Sequence, residues 1–229
     1  MFSGRIVVLT GAGISRESGL DTFRDPGGVW ERVRIEDVAT PEAFQRDPER
    51  VHAFYDARRA QLHAVEPNAA HRALAELERV LPGRVLVVTQ NVDDLHRRAG
   101  SQALLPMHGE LRRVRCLRCD AAPDWDGPAA EASCPTCGAD TLRPDVVWFG
   151  EMPLHLDAIE AALAECDLFV AIGTSGTVYP AAGFAATAAK RARTVEINLQ
   201  PSFSPDFDEH RAGAATLLVP QLVAELTAE

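Results

Sequence analysis

The stretch Val85–His96, VLVVTQNVDDLH, decides the predicted fold of this chain. Its first residues form a short aliphatic run rich in β-branched side chains, which is typical of a buried parallel strand. Amide and carboxylate side chains follow directly after the run, at Gln90, Asn91, Asp93 and Asp94. Open α/β sheets bind their ligands at the carboxyl ends of such strands. We therefore predict an active site here, with His108, twelve residues beyond His96, as its other half.

Length and composition limit the classes of protein that the chain can represent. It has 229 residues, enough for one sizeable α/β domain with a small insert. Its 33 acidic and 23 basic side chains give a formal net charge of −10, which disfavours a nucleic-acid partner. No apolar run approaches the roughly 18 residues of a membrane span, and a predicted strand by Ile6 leaves no room for a signal peptide. We expect a soluble, cytoplasmic monomer with no membrane or nucleic-acid partner.

Three more aliphatic runs predict strands, and each of them ends in small or polar residues. They are Arg5–Thr10, Asp167–Ile172 and Thr194–Leu199, which lead into Gly11–Ser15, Gly173–Gly176 and the pair Asn198 and Gln200. Helices are predicted over 69–81, 153–165 and 179–191, and a tail helix begins at 214. Strands that alternate with helices predict a doubly wound, Rossmann-like parallel sheet in an α/β fold. Four polar strand ends at one edge of that sheet predict a cleft for a dinucleotide.

The glycine motif after the first strand is a weak signal by itself. Gly11–Arg16 reads G-x-G-x-x-R, so Arg16 replaces the third glycine of the dinucleotide fingerprint. A tight strand-to-helix turn that binds no ligand explains the motif equally well. No second strand ending in an acidic residue follows about twenty residues later, which disfavours an ordinary dehydrogenase.

A helical insert is predicted between the first two strands. Leu20–Val38 is polar and lacks a clear period, which is typical of a long functional loop, and helices are predicted over 41–45 and 48–63. Tyr55 and Arg58 lie three residues apart on the second helix and share a face. From the residues alone, a half-buried tyrosine and a solvated arginine of an amphipathic helix explain this pair. Asn68 is the predicted N-cap of the next helix, and His71 is assigned to capping or packing.

Two closely spaced cysteine pairs predict a metal site. Cys116-x2-Cys119 and Cys134-x2-Cys137 can place four thiolates tetrahedrally around zinc. Four protein ligands leave no open position for substrate, so the predicted zinc is structural. The segment between the pairs is polar and has little apolar content, so we expect it to fold only with the metal.

These predictions divide one catalytic domain, residues 1–229, into three parts. The Rossmann-like part takes residues 1–30, 68–111 and 144–229, with further strands predicted at 110–114 and 146–149. The helical insert covers about 31–67, and the zinc module covers about 112–143.

The chain resembles the sirtuins, which are NAD-dependent protein deacylases. The resemblance covers nearly the whole chain and rests on these segments: GAGIS at 11–15, ESG at 17–19, FR at 23–24, TQNVDDLH at 89–96, HG at 108–109, the four cysteines, VVWFGE at 146–151, GTS at 173–175 and EINLQ at 196–200. The segment FYDAR at 54–58 resembles the sirtuin class that removes acidic acyl groups such as succinyl and malonyl.

The resemblance implies that NAD is a co-substrate. The residues implied to bind it are Gly11, Ala12, Gly13, Ser15, Phe23, Arg24, Gln90, Asn91, Val92, Asp93, Gly173, Thr174, Ser175, Asn198, Leu199, Gln200 and Ala215. His108 is the implied general base, and its ordinary pKa of about 6.5 suits that task. Asn91 and Asp93 are implied to hold the nicotinamide ring and its carboxamide. An amide needs one acceptor and one donor, which Asp93 and nearby backbone N–H groups supply.

The resemblance also implies where an acyl-lysine peptide binds. The peptide would add as a strand between Phe149–Glu151, which includes Gly150, and Val178–Tyr179. The Val147 carbonyl would accept the lysine N–H, and Phe149 would form the wall of an apolar tunnel. Tyr55 and Arg58 would hold a distal carboxylate at the far end of that tunnel.

The implied reaction yields nicotinamide, the deacylated lysine and O-acyl-ADP-ribose. Two alternatives stay open from the sequence. One is a protein ADP-ribosyltransferase that uses the same cleft, and the other is a non-catalytic module that binds NAD or a peptide.

Overall fold

The computed structural model describes residues 1–22, 29 and 33–228. Within these ranges the strands, in chain order, are β1 (Ile6–Thr10), β2 (Val85–Thr89), β3 (Leu104–Pro106), β4 (Gly109–Cys116), β5 (Leu142–Val146), β6 (Leu168–Ile172), β7 (Arg193–Asn198) and β8 (Glu209–Ala212). The α-helices are α1 (Gly13–Arg16), α2 (Ile35–Val38), α3 (Pro41–Arg46), α4 (Pro48–Gln61), α5 (Ala69–Val80), α6 (Leu95–Ala99), α7 (Leu156–Glu165), α8 (Phe184–Ala188) and α9 (Ala215–Thr227). Short 3-10 helices cover Leu62–Ala64 and Ala181–Gly183.

Six strands form one sheet in the order β3-β2-β1-β6-β7-β8, and every neighbouring pair is parallel. The predicted parallel α/β sheet is therefore confirmed. From β1 the chain first builds one side of the sheet, through β2 and β3, and then the other side, through β6 to β8. This reversal leaves a crevice beside the carboxyl end of β1, where ligands of such sheets bind.

Helices cover both faces of the sheet, so its central strands are buried on both sides. On one face α5 and α9 pack through Leu74, Leu77, Val219 and Leu222. On the other face α7 and α8 contribute Ile159, Leu163 and Phe184. Burial on both faces explains why β1, β2 and β6 are continuous aliphatic runs instead of alternating ones.

Two strands of the sheet, β3 and β8, were not predicted, and both lie at its edges. β3 has three residues and ends at Pro106, which lacks the N–H that a central strand must donate. β8 has the sequence EHRA, which carries no apolar run. Edge strands need little burial, so one can be as short as β3 and another as polar as β8, and a search for longer apolar runs misses both.

A second, two-stranded sheet pairs β4 with β5 antiparallel. The predicted strand at 146–149 is wrong, because β5 ends at Val146. Beyond it, the Val147 N–H donates to the His108 carbonyl at 2.9 Å, and the Phe149 N–H donates to the Ala39 carbonyl at 3.0 Å. The apolar residues 147–149 therefore cross between the helical insert and the His108 loop instead of extending the ladder.

The helix predicted over 179–191 is also wrong. The chain forms the turn Ala181–Gly183 and then only the five residues of α8. Pro180 cannot donate a backbone hydrogen bond and Gly183 is a poor helix former, so the helix is shorter than its alanine-rich composition predicts.

None of the helices in the described ranges is both long and apolar enough to cross a membrane.

The predicted N-cap Asn68 is confirmed, and it also holds the glycine loop. Its Oδ1 accepts from the Ala70 N–H at 3.0 Å, which caps α5. Its Nδ2 donates to the Ile14 carbonyl at 2.8 Å and to Ser18 Oγ at 3.0 Å. One side chain thus joins the start of α5 to the segment that follows β1.

Replacing Asn68 tests how much this cap contributes. We expect Asn68→Ala to lower the free energy of unfolding by about 1 kcal/mol more than Asn68→Ser, because serine retains an oxygen that can cap α5. Urea denaturation followed by circular dichroism measures both variants. Equal losses in the two variants would contradict the assignment of Asn68 as a cap.

Candidate active site

A cleft of about 790 Å³ lies at the carboxyl ends of β1, β2, β6 and β7. Most of the predicted site residues line it: Tyr55, Gly11, Ala12, Gly13, Gln90, Asn91, Val92, His108, Val147, Phe149, Gly150, Glu151, Gly173, Thr174, Ser175, Val178, Tyr179, Asn198, Leu199, Gln200 and Ala215. Ser15, Asp93 and Arg58 instead line a small adjoining cavity, which shares Ala12, Asn91 and Val92 with the cleft. Phe23 and Arg24 lie outside the described residues, so their predicted roles stay predictions.

The loops after β1 and β6 approach each other backbone to backbone. A Cβ on Gly11 would lie 2.7 Å from the Gly173 carbonyl oxygen, and one on Gly13 would lie 2.7 Å from Gly173 Cα. The Gly13 N–H donates to the Gly173 carbonyl at 2.9 Å, and Gly173 has a φ of +59°. Only glycine fits these contacts, so the first two glycines of the motif are required for packing as well as for access to a ligand.

Asn91, Ser15 and Asp93 form a hydrogen-bonded chain at the inner end of the cleft. Asn91 is 4% exposed, and its Nδ2 donates to the Gly11 carbonyl and to Ser15 Oγ, each at 3.1 Å. Ser15 Oγ donates to Asp93 Oδ2 at 2.9 Å, and Asp93 Oδ1 accepts from the Leu95 N–H at 3.1 Å. Burial raises the pKa of Asp93 to about 6. These hydrogen bonds fix the positions of the donors and acceptors that an amide-bearing ring would meet.

Two buried histidines lie behind this chain. His96 Nε2 is 3.0 Å from Thr10 Oγ1, the His71 and His96 rings meet edge to face at 4.8 Å, and His71 Nε2 is 3.4 Å from Ser15 Oγ. Burial lowers the pKa of His96 to about 4 and that of His71 to about 2, so both rings are neutral at pH 7. The predicted capping role of His71 is confirmed, since it completes the capping box with Asn68. The sequence had no signal for its contact with Ser15.

His108 has the geometry of a general base. Its Nδ1 lies 2.9 Å from the Gln90 carbonyl oxygen, which can only accept, so Nδ1 carries the proton and Nε2 keeps a lone pair. Burial lowers the pKa of His108 below its ordinary value, so the ring is neutral at pH 7. The two predicted halves of the site therefore meet directly, because the His108 imidazole forms a hydrogen bond with the backbone of Gln90.

The four predicted zinc ligands lie together at the end of β4. Their Sγ atoms are all within 4.8 Å of one another, with Cys116 and Cys137 at 3.6 Å and Cys119 and Cys134 at 3.7 Å. Tetrahedral zinc with bonds of about 2.3 Å needs sulfur atoms about 3.8 Å apart. The cluster therefore fits a closed structural zinc site, as predicted.

A model of the Sir2 family matches residues 11–180 of this chain. The chain belongs to the Sir2 family. It is 56% identical over 225 residues to an NAD-dependent protein deacylase of Bdellovibrio bacteriovorus, covering 96% of this chain and 95% of that protein. The crystal structure of a Sir2 homologue–NAD complex matches with a TM-score of 0.87 at 39% identity, covering 98% and 90% of the two chains. The structure of Sir2Af2 bound to a myristoylated histone peptide matches with a TM-score of 0.73 at 34% identity, covering 97% and 90%.

The outer half of the cleft in this Sir2-family chain contains the predicted peptide residues. Phe149 is 41% exposed and Tyr179 is 81% exposed, so both stand at the mouth. Within the part of the chain that the structure describes, the Val147 carbonyl accepts no hydrogen bond, so it can accept one from a substrate. The Glu151 carboxylate is already engaged, since it accepts from Arg143 at 2.6 Å and from the Trp148 N–H at 2.8 Å. Glu151 can therefore contact a peptide through its backbone.

Tyr55 and Arg58 both face the interior and not the solvent. Tyr55 is 4% exposed and lines the cleft, and its hydroxyl accepts from Trp148 Nε1 at 3.0 Å. Arg58 is half-buried in the adjoining cavity, where the charge of Asp93 partly offsets the effect of burial, which lowers the Arg58 pKa. Arg58 is therefore not the solvated arginine of a simple amphipathic helix that the residues alone predict.

Removal of one cysteine tests the zinc site. We expect Cys134→Ser to lose the bound zinc and to make residues 112–143 sensitive to protease, because the module lacks a sizeable apolar core of its own. Cys166→Ser is the matched control, since Cys166 is buried between α7 and β6, far along the chain from the cluster. Elemental analysis and limited proteolysis measure the two outcomes. Full zinc occupancy in the Cys134→Ser protein would exclude this ligand set.

Proposed function

We propose that this chain is an NAD-dependent protein-lysine deacylase that removes acetyl groups and also acidic acyl groups of the succinyl and malonyl type. Its products are nicotinamide, the deacylated lysine and O-acyl-ADP-ribose. The observation that carries the proposal is the meeting of three groups in the cleft and the small cavity that adjoins it: His108 with its unprotonated Nε2, the hydrogen-bonded set of Asn91, Ser15 and Asp93, and Tyr55 beside Arg58.

NAD supplies the nicotinamide leaving group and the ribose that receives the acyl group. The cleft offers it the glycine loops after β1 and β6, together with Asn198 and Gln200 beyond β7. Asp93 accepts from the N–H2 of the carboxamide on the ring, and a nearby backbone N–H donates to the carboxamide oxygen. Asn91, whose own N–H2 is engaged by the Gly11 carbonyl and Ser15, holds Ser15 in place against Asp93. Sir2 homologues crystallised with NAD or with ADP-ribose support this placement.

His108 takes the proton that must leave a ribose hydroxyl before that oxygen attacks the acyl carbon. A base within a buried cleft works only if it is neutral before the reaction, and burial ensures this by lowering the His108 pKa. The Gln90 carbonyl holds the ring in the tautomer that leaves Nε2 unprotonated, and it stabilises the imidazolium that forms. The presence of this base argues against a non-catalytic binding module.

The substrate is an acylated lysine in an extended peptide. A relative of known structure binds a myristoylated histone peptide, which supports a cleft built for acyl-lysine. Extended peptides bind mainly through their backbone, so little sequence selectivity is expected. Arg58 supplies a charge and Tyr55 a neutral donor for a carboxylate at the end of the acyl chain.

The cytoplasmic location and the monomeric state stay predictions from the sequence.

Substitution of His108 tests the chemistry. We expect His108→Ala to fold and to bind zinc like the unchanged protein, but to deacylate at least about a hundredfold more slowly, because general-base catalysis is lost. In the unchanged enzyme, kcat/KM should fall only below pH 6.5, since the His108 pKa is lowered from that value. Nicotinamide release from an acetyl-lysine peptide measures both.

NAD labelled in the adenosine separates deacylation from ADP-ribosyl transfer. The label should leave the enzyme in small O-acyl-ADP-ribose. Label that stays on protein would instead establish the transferase alternative.

The acyl selectivity is tested at the Tyr55 and Arg58 pair. We expect Tyr55→Phe combined with Arg58→Met to lower the ratio of desuccinylation to deacetylation by at least about tenfold, because a charge-assisted contact to the distal carboxylate is lost. Peptides carrying acetyl-, malonyl-, succinyl- and glutaryl-lysine measure that ratio from kcat/KM. Losses of both activities in the same proportion would contradict the proposed carboxylate contact.

A further inference from the structure

The hydroxyl oxygen of Tyr55 accepts a hydrogen bond from the indole N–H of Trp148. The distance from Trp148 Nε1 to the Tyr55 oxygen is 3.0 Å, and the two residues are 3% and 4% exposed. An indole N–H can only donate, so the Tyr55 oxygen must be the acceptor in this contact. The phenolic proton is therefore directed to another partner.

Because Tyr55 lines the cleft, a molecule bound there can accept that proton. Among the residues that the structure describes, no protein group accepts a hydrogen bond from the Tyr55 hydroxyl, and Tyr55 lines the cleft. Burial raises the pKa of Tyr55 well above its ordinary value, so the proton stays on the oxygen at every physiological pH. Tyr55 thus presents a permanent donor to whatever occupies the cleft.

Trp148 is held in place both on the face of its indole ring and at its backbone N–H. The guanidinium carbon of Arg143 lies 3.4 Å from the centre of the Trp148 ring, which is a close cation–π contact. Arg143 is fixed in turn by two hydrogen bonds to Glu151, at 2.6 and 3.0 Å, and by one to the Val146 carbonyl at 2.8 Å. Glu151 also accepts from the backbone N–H of Trp148 at 2.8 Å.

We propose that Trp148 is a positioning residue for acyl selectivity, which fixes the Tyr55 hydroxyl as a donor toward an acceptor oxygen at the end of the acyl chain. Arg143 and Glu151 hold the indole in place for this task. A succinyl or malonyl group carries carboxylate oxygens at that point, whereas an acetyl group ends in a methyl that cannot accept. The inference rests on the proposed removal of acidic acyl groups, and it adds the residues that orient the selecting hydroxyl.

A double-mutant cycle on Trp148 and Tyr55 tests this role. Trp148→Phe keeps an aromatic ring and removes the N–H, so we expect the succinyl-to-acetyl ratio of kcat/KM to fall about fivefold, as for one hydrogen bond lost or misdirected. The loss should appear in KM for the succinyl peptide and not in kcat. In a Tyr55→Phe background the same substitution should leave the ratio unchanged, because no hydroxyl remains to be oriented.

Two further variants separate positioning from packing. Phe44→Leu is the matched packing control, because the Phe44 ring contacts the indole at 5.3 Å and makes no hydrogen bond to Tyr55, so the ratio should hold. Arg143→Lys keeps a charge for Glu151 and loses the planar contact with the indole, so the ratio should fall less than with Trp148→Phe. This milder variant also keeps the test valid if Trp148→Phe unfolds, which melting curves and zinc content would show.

The outcomes distinguish this inference from the function on which it rests. If the unchanged enzyme removes succinyl groups and Tyr55→Phe lowers the ratio, but Trp148→Phe does not, only the positioning role is overturned. The same holds if the effects of Trp148→Phe and Tyr55→Phe on the ratio are additive. An unchanged enzyme that removes acetyl groups alone would overturn both the acidic-acyl proposal and this one.

Discussion

The site depends on the need to pair polar groups that the fold buries at the carboxyl ends of β1 and β2. Thr10 and Thr89 hydroxyls lie 2.9 Å apart, and Asn91 and Ser15 are almost fully buried a few residues further along the two strands. Each such group left unpaired would cost about 1–3 kcal/mol. They pair with one another and with the neutral histidines behind them, so the arrangement that satisfies the interior also fixes the residues that we propose bind nicotinamide. Binding geometry and stability are therefore set by the same hydrogen bonds.

Helix α4 connects this interior to the rest of the molecule through neighbouring residues of its buried side. Tyr55 and Arg58 lie on the face toward the cleft and the adjoining cavity. One turn beyond Tyr55, the fully buried Arg59 donates from Nε to the Leu111 carbonyl at 2.7 Å and from Nη1 to the Gly127 carbonyl at 3.1 Å. The Ala129 N–H donates to Asp56 at 3.1 Å. The cysteine-containing module thus also holds the helix that carries Tyr55 and Arg58, although none of its described residues lines the cleft.

The sequence predicted those parts of the structure that short stretches of neighbouring residues determine. Aliphatic runs such as Val85–Thr89 are required by burial on both faces of the sheet, and two C-x2-C pairs are required by tetrahedral coordination, so both were found. Contacts between distant segments carry no such signal. Trp148 and Tyr55 are 93 positions apart, and Arg59 looks like any arginine on a helix surface until its carbonyl partners are in place. The edge strand at Glu209–Ala212 was missed for the opposite reason, since it buries too little to need an apolar pattern.

Burial moves the titratable groups of the inner cleft in one direction, toward their neutral forms. It raises the pKa of Asp93 to about 6 and lowers those of His108, His96 and His71. This shared shift has one cause, since removal of these groups from water disfavours their charged forms. A deacylase that cleaves NAD needs this exclusion, since the acyl oxygen and not water must meet the ribose. The same low polarity strengthens the attraction between Arg58 and a carboxylate of a substrate, and this attraction is set against the cost of removing both charges from water. If acidic acyl groups are substrates, as we propose, the exclusion of water that the chemistry requires also favours their selection.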